Sequence, residues 1–167
     1  MAVTLLLGGA RSGKSRRAQE LAEATAPTRT FIATAEALDE EMAARIARHQ
    51  ADRGEGWRTR EAPLELADAM QKALKPGHVV LVDCLTLWLS NLMHHRHDVD
   101  AELARVLEVL TLPGDLVLVS NEVGLGLVPE TPLGRRFRDQ QGRLNQAVAA
   151  ASDRVEFVAA GLPLLLK

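Results

Sequence analysis

The residues with the clearest chemical potential are Gly8, Gly9, Ala10, Arg11, Ser12, Gly13, Lys14 and Ser15. A glycine, four residues and then Gly-Lys-Ser is the spacing of a phosphate-binding loop. Glycines let such a loop curl until successive backbone N–H groups point at phosphate oxygens. A helix beginning at its end adds the positive pole of its dipole. Lys14 then reaches the β- and γ-phosphates, and the Ser15 hydroxyl binds Mg²⁺. The flanks agree, because Val3 to Leu7 is an apolar run of the buried-strand type and Arg16 to Ala22 reads as helix. The expectation is a chain that binds a nucleoside triphosphate and is arranged around this loop.

Other candidates stand at the ends of apolar runs. Asp83 closes His78-Val79-Val80-Leu81-Val82. A carboxylate there emerges at the carboxyl edge of a parallel sheet, beside the loop, where it holds Mg²⁺; the alternative is a helix-capping aspartate. Asn121-Glu122 ends Leu116 to Ser120 in the same way. Arg45, His49 and Arg53 are spaced by four and share a face of one helix. Two guanidiniums flanking an imidazole disfavour its protonated form and leave a ring nitrogen as a nucleophile near neutral pH. By spacing alone, a solvated basic face with Arg48 paired to Asp52 is the simpler account. Glu61 only accepts hydrogen bonds, so it complements the N1–H and amino donors of guanine, but it reads equally as a surface carboxylate. His94, His95 and His97 have no Cys or carboxylate at zinc-site spacing and read as a polar connection. Cys84 reads as a small buried hydrophobe and Trp88 as core.

The elements that position these residues follow from period and punctuation. Arg29 to Ala33 suits a second strand ending at Thr34-Ala35, and a helix is expected from about Asp39 to Asp52. Trp57 to Glu61 suits a short exposed strand, and Leu64 to Leu74 has helical spacing. Leu85 to Met93 is apolar nearly all round, Asp100 to Leu112 is again helical, and Leu133 to Ala151 is a long helix. Val123 to Leu133 reads as an ordered loop over the site with an exposed apolar component. Arg154 to Ala159 is a strand, and Gly161 supports a reversal into an antiparallel edge strand. Strands alternating with helices give an α/β three-layer fold with a mainly parallel sheet. With the loop motif, this is a P-loop NTPase fold of the RecA-like kind.

The 167 residues, 47% of them hydrophobic, fit a single domain over 1–167. A net charge of −2, no Tyr and two Trp leave no general attraction for nucleic acid or an anionic membrane. One cysteine excludes an internal disulfide framework, and no apolar run reaches about 18 residues. The opening residues do not have the pattern of a secretory signal. The expectation is a cytoplasmic protein with no membrane insertion.

Taken together, GGARSGKS, FIATAEALDEEMAARIARHQADRGEGW, VDCLTLWLSNL, VSNEVGLGLVP, FRDQQGRLNQ and the terminal AGLPL resemble the bifunctional adenosylcobinamide kinase/adenosylcobinamide-phosphate guanylyltransferase family of cobalamin biosynthesis. The resemblance runs over nearly the whole chain in one order, and the combination carries its specificity. It implies phosphorylation of the aminopropanol hydroxyl of adenosylcobinamide by ATP or GTP. GMP then passes from GTP to that phosphate through a guanylylated histidine, with pyrophosphate released. By position in the motif, the resemblance makes His49 the nucleophile. It assigns nucleotide contacts to Gly8 through Ser15, to Ala33, Thr34 and Ala35, to Gln50, Ala51, Asp52 and Arg53, to Glu61 and to Asp83. It also implies a homotrimer. Two other readings of the residues remain at this point: a monofunctional small-molecule kinase that uses only the γ-phosphate, and a nucleotide-gated RecA-like module. The general base for the hydroxyl is open between Glu122 and Asp83.

Overall fold

The computed structural model describes residues 2–36 and 54–167. The chain runs β1 (Val3–Gly8), α1 (Lys14–Thr25), β2 (Thr28–Ala33), β3 (Trp57–Glu61), α2 (Leu66–Ala73) and β4 (His78–Asp83). It continues through α3 (Leu85–His94), α4 (Val99–Val109), β5 (Asp115–Asn121), α5 (Pro132–Ala151), β6 (Arg154–Ala159) and β7 (Leu162–Leu165). The strands form one sheet in the order β3-β2-β4-β5-β1-β6-β7. All neighbouring pairs are parallel except β6 with β7.

Apolar residues that alternate along the central strands feed two cores. Leu6, Phe31, Leu81 and Val117 pack beneath Ala18 and Ala22 of α1. Leu5, Ile32, Val80, Val82 and Leu118 face the other way, against Leu66, Met70, Trp88, Leu89, Val106 and Val148 of the remaining helices. Both faces of β1 and β4 are therefore buried, which explains why their sequences are almost continuously apolar. The architecture is the expected three layers, with the antiparallel pair at the carboxyl terminus.

Local chemistry sets the element ends. Cys84 caps α3, its thiol accepting from Leu87 N at 3.5 Å, so Asp83 is not the capping residue. Asp98 caps α4 by accepting from Ala101 N, and Thr131 caps α5 by accepting from Gly134 N, with Pro132 in the first turn. Ala160 and Gly161, at φ 52° and 78°, turn the chain back into β7. All four residues of β7 are exposed, as are Leu125, Leu127 and Val128 in the loop after β5. Trp88 is fully buried and Cys84 nearly so. The helix expected from about Asp39 to Asp52, with Arg45, Arg48, His49 and Arg53, lies outside the described residues. Among the described residues, no helix is long and apolar enough to cross a membrane.

Candidate functional site

Parallel pairing brings the carboxyl ends of six strands to one edge of the sheet, and the candidate residues follow its register. Glu61 stands opposite Ala33, Ala33 opposite Asp83, and Asp83 opposite Val119 of β5. Gly8, at the end of β1, stands opposite Asn121 on the other side of β5. Asp83 is thus two strands from the phosphate loop, with the Asn121-Glu122 terminus between them. Glu61 is four strands from Gly8, about 19 Å at the usual strand spacing.

The loop after β1 is held in a tight curl. Arg11 (φ 53°) and Gly13 (φ 96°) adopt left-handed conformations, and Gly13 is the residue that enters α1, with no side-chain cap. A Cβ at Gly8 would lie 2.5 Å from the carbonyl oxygen of Val158, and one at Gly13 would lie 3.1 Å from Cα of Gly161. Glycine is required at both places because another backbone passes there. Gly161 N donates to Ser12 O at 2.8 Å, and Glu122 N donates to Gly8 O at 3.0 Å, so the β6–β7 turn and the β5 terminus brace the loop from two sides. Lys14 is buried and folds back to donate from Nζ to Gly9 O at 3.0 Å. Ser12 Oγ is buried and has no hydrogen-bond partner among the described residues, which leaves an unused donor inside the curl. Ser15 is exposed at the first turn of α1.

Helix α1 is anchored by a group that sequence reading missed. Glu156 of β6, 1% exposed, accepts from Arg17 Nε and Nη2 at 3.0 and 3.1 Å and from Arg154 Nε and Nη2 at 2.9 and 2.7 Å. The Arg17 bonds hold its carboxyl below the usual carboxylate range, with Arg154 adding to them. Arg17 and Glu156 are 139 residues apart, so no local spacing reveals the pair.

The β2 terminus is built differently. Ala33 and Thr34 are buried, and Ala35 is half-buried. Thr34 Oγ1 donates to Cys84 O at 2.7 Å and accepts from Cys84 N at 2.9 Å, so its hydroxyl is spent on the backbone beside Asp83. Asn91 Nδ2 donates to Thr34 O at 2.7 Å and to Pro63 O at 3.0 Å, tying the ends of β2 and β3 to α3. Burial pushes the Cys84 thiol up, with the Asp83 carboxylate a smaller cause, so it stays a protonated cap. Glu61 is exposed and lines a cavity of about 430 Å³ between β3 and α2.

A second feature missed in the sequence supports the β5 terminus. Ser120 Oγ donates to Asn145 Oδ1 at 2.7 Å, and Gln141 Nε2 contacts both at 2.9 Å. Asn145 Nδ2 donates to Asn121 O at 3.1 Å, and Asn121 N donates to Thr86 Oγ1 at 2.8 Å. Gln141 and Asn145 are polar residues four apart on the buried face of α5, and that violation of the apolar pattern is the signal that could have found them. Glu122 Oε1 accepts from Gly124 N at 2.5 Å, and Arg138 Nη2 donates to Gly124 O at 2.7 Å. Among the described residues, no group of three or more His, Cys, Asp or Glu could hold a metal ion. Of the histidine run, His95 instead pairs with Glu36 at 2.8 Å. His49, Gln50, Ala51, Asp52 and Arg53 lie outside the described residues.

Comparison with known proteins bears on the fold and the family. At the level of fold, the chain is similar to the flagellar accessory protein FlaH of Methanocaldococcus jannaschii, with TM-score 0.56 and 13% identity over 99% of this chain and 78% of that one. It is also similar to the type III secretion ATPase EscN of enteropathogenic E. coli, with TM-score 0.59 and 8% identity over 95% of this chain and 43% of that one. In sequence it is 51% identical to the bifunctional adenosylcobalamin biosynthesis protein CobP of Pseudomonas aeruginosa, over 98% of this chain and 96% of the relative. It is 38% identical to the bifunctional adenosylcobalamin biosynthesis protein CobU of Escherichia coli, over 98% of both. The pattern of the family described as CobU, cobinamide kinase / cobinamide phosphate guanyltransferase, matches residues 4–166, and the chain belongs to that family.

Proposed function

We propose that this chain carries out both reactions of its family at one nucleotide site on the carboxyl edge of the sheet. It first phosphorylates the aminopropanol hydroxyl of adenosylcobinamide with ATP or GTP, and then transfers GMP from GTP to the new phosphate with release of pyrophosphate. The observation that carries the reading is the register: the phosphate loop, Asp83 and Glu61 lie along one edge, and about 19 Å separates Gly8 from Glu61. That span suits an extended nucleotide with its triphosphate at the loop and its base toward Glu61.

The residues divide the work by position. Loop N–H groups and the uncapped start of α1 bind phosphate oxygens. Lys14 exchanges its bond to Gly9 O for the β- and γ-phosphates, carrying its charge to the oxygens on which negative charge builds. Ser15 and Asp83, as hard oxygen donors, would hold Mg²⁺. There it would neutralise phosphate charge. The backbone at Ala33, Thr34 and Ala35 lines the groove between the two ends. Glu61 accepts from N1–H and the amino group of guanine, which adenine cannot offer in the same arrangement. Glu122, fixed by Gly124 N beside Gly8, is the better placed of the two candidate bases for the hydroxyl.

In the second reaction the His49 imidazole attacks the α-phosphorus, pyrophosphate leaves, and the phosphoramidate passes GMP to the acceptor phosphate. Arg45, Arg53, Gln50, Ala51 and Asp52 belong to this half of the site. The assignment of His49 rests on its place in the family motif. In the cytoplasm the protein acts as the homotrimer that the family resemblance implies, and exposed Leu125, Leu127, Leu162 and Leu164 support self-association by giving the monomer an apolar surface. Lys14→Ala tests the shared site: both reactions should fall together, and loss of only one would separate them.

A further inference from the structure

Away from this edge, on the face of the sheet covered by α2, lies a cavity of about 200 Å³. Its lining includes Arg58, Arg60, Lys72, Lys75 and His78 and no carboxylate. Among the described residues, none of the four Arg and Lys side chains makes a salt bridge. Arg60 and Lys72 also line the neighbouring cavity, with Glu61, Glu65 and Asp68, and Asp68 is taken by Arg105 at 2.6 Å. In a chain of net charge −2, this is a local excess of positive charge, with no carboxylate in ion-pair contact with it among the described residues.

The floor of the cavity is built. His78, the first residue of β4, contacts Thr30 Oγ1 through Nε2 at 2.8 Å and Thr28 Oγ1 through Nδ1 at 3.1 Å. Thr30 is buried, so the ring is fixed between two threonine hydroxyls. Burial is the largest cause that lowers the His78 pKa, and the fields of Lys75 and Arg58 lower it further. Strand order sets the place apart from the phosphate loop, because Thr30, Arg58 and His78 lie toward the amino ends of β2, β3 and β4.

We propose that this cavity is a second anion site, which takes a diphosphate or triphosphate group. A volume of about 200 Å³ compares with about 30 Å³ per water in the liquid, leaving room for a diphosphate with part of its hydration. Arg58 and Arg60 offer forked donors, while Lys72 and Lys75 act as point charges. Two sources carry this chemistry: free pyrophosphate, and the phosphate tail of a second nucleotide. Arg58, Lys75 and His78 lie outside the Glu61 cavity, so a test on Arg58 and Lys75 does not depend on the function proposed above.

Equilibrium dialysis of the full-length protein with labelled pyrophosphate, and separately with labelled ATP, counts sites per chain at fixed ionic strength. For at least one ligand, wild type should bind two equivalents, and Arg58→Gln with Lys75→Gln should weaken one of them at least tenfold while leaving the other intact. Lys14→Ala should remove the complementary one. Loss with pyrophosphate and ATP alike assigns the site to the phosphate group itself. Loss with ATP alone assigns it to a nucleotide tail. Arg105→Gln, a loss of positive surface charge elsewhere, should have no effect. Binding of both ligands that is unchanged in the Arg58/Lys75 variant, or reduced as much by Arg105→Gln, overturns the proposal. Failure of the Lys14→Ala arm instead contradicts the phosphate-loop assignment.

Discussion

The two ends of the proposed nucleotide groove are built on different plans. At the phosphate end, β1 is paired on both sides and buried along its whole length, and backbone from β5 and from the β6–β7 turn braces its loop. A buried carboxylate with two guanidiniums then fixes the following helix. At the other end, Glu61 projects from an edge strand of which four of five residues are exposed, and its support comes through Asn91 and the Thr34–Cys84 clasp. Phosphate oxygens need several donors at once, which requires a preformed cradle. A base is recognised by one or two hydrogen bonds on a side chain, which an edge can carry. The rigid end therefore suits what the two reactions share, and the open end suits discrimination between GTP and ATP.

The largest effect expected from this contrast is at Lys14. Lys14→Ala should reduce both phosphoryl and guanylyl transfer by a factor of about 10² or more, the size found when one donor to a developing oxyanion is removed. Steady-state rates for each reaction check this, and loss of one reaction alone would break the idea of a common rigid end. Next is Glu156→Ala, which strands Arg17 and Arg154. Breaking a fully buried pair costs about 3–5 kcal/mol. Here both guanidiniums reach solvent, so about 2 kcal/mol is expected, read from chemical denaturation.

The same carboxylate gives a pH signature. Its folded pKa is depressed, so its contribution is complete above the unfolded value, about 4.3, and is lost as pH falls through the lower folded value. The stability gap between wild type and Glu156→Gln should be constant near neutrality and close under acid conditions. A gap that widens on acidification would contradict the pairing. Smallest is Glu61→Gln at the open end. It should raise KM for GTP by about tenfold, the worth of one charge-assisted hydrogen bond, and leave phosphorylation with ATP unchanged. Equal changes for both nucleotides would remove Glu61 from base recognition.

Much of this was legible in the chain. The apolar run of β4 ending in Asp83, the loop from Gly8 to Ser15 and the reversal at Gly161 each declared both their element and their place at the edge, because strand period and turn chemistry are local. What stayed hidden is non-local. The Arg17–Glu156–Arg154 cluster joins chain ends that no window spans, and Thr34 reads as a loop hydroxyl until the fold sets it against Cys84. Asp83 as a helix cap was a fair alternative on sequence, and the thiol of Cys84 takes that position instead. The nucleophile is a different case, because Arg45, His49 and Arg53 at helical spacing describe a solvated face as well as a reactive one. Only family membership raises His49 above that account.

The central claim is that one site performs both transfers through a guanylylated histidine. The most direct measurement is incubation of wild type and His49→Ala with Mg²⁺ and GTP labelled on the α-phosphate, followed by denaturing electrophoresis. The account predicts a protein-bound label that is labile in acid, stable in alkali and absent from the variant. No label on wild type that still binds GTP, or equal label on His49→Ala, would contradict it.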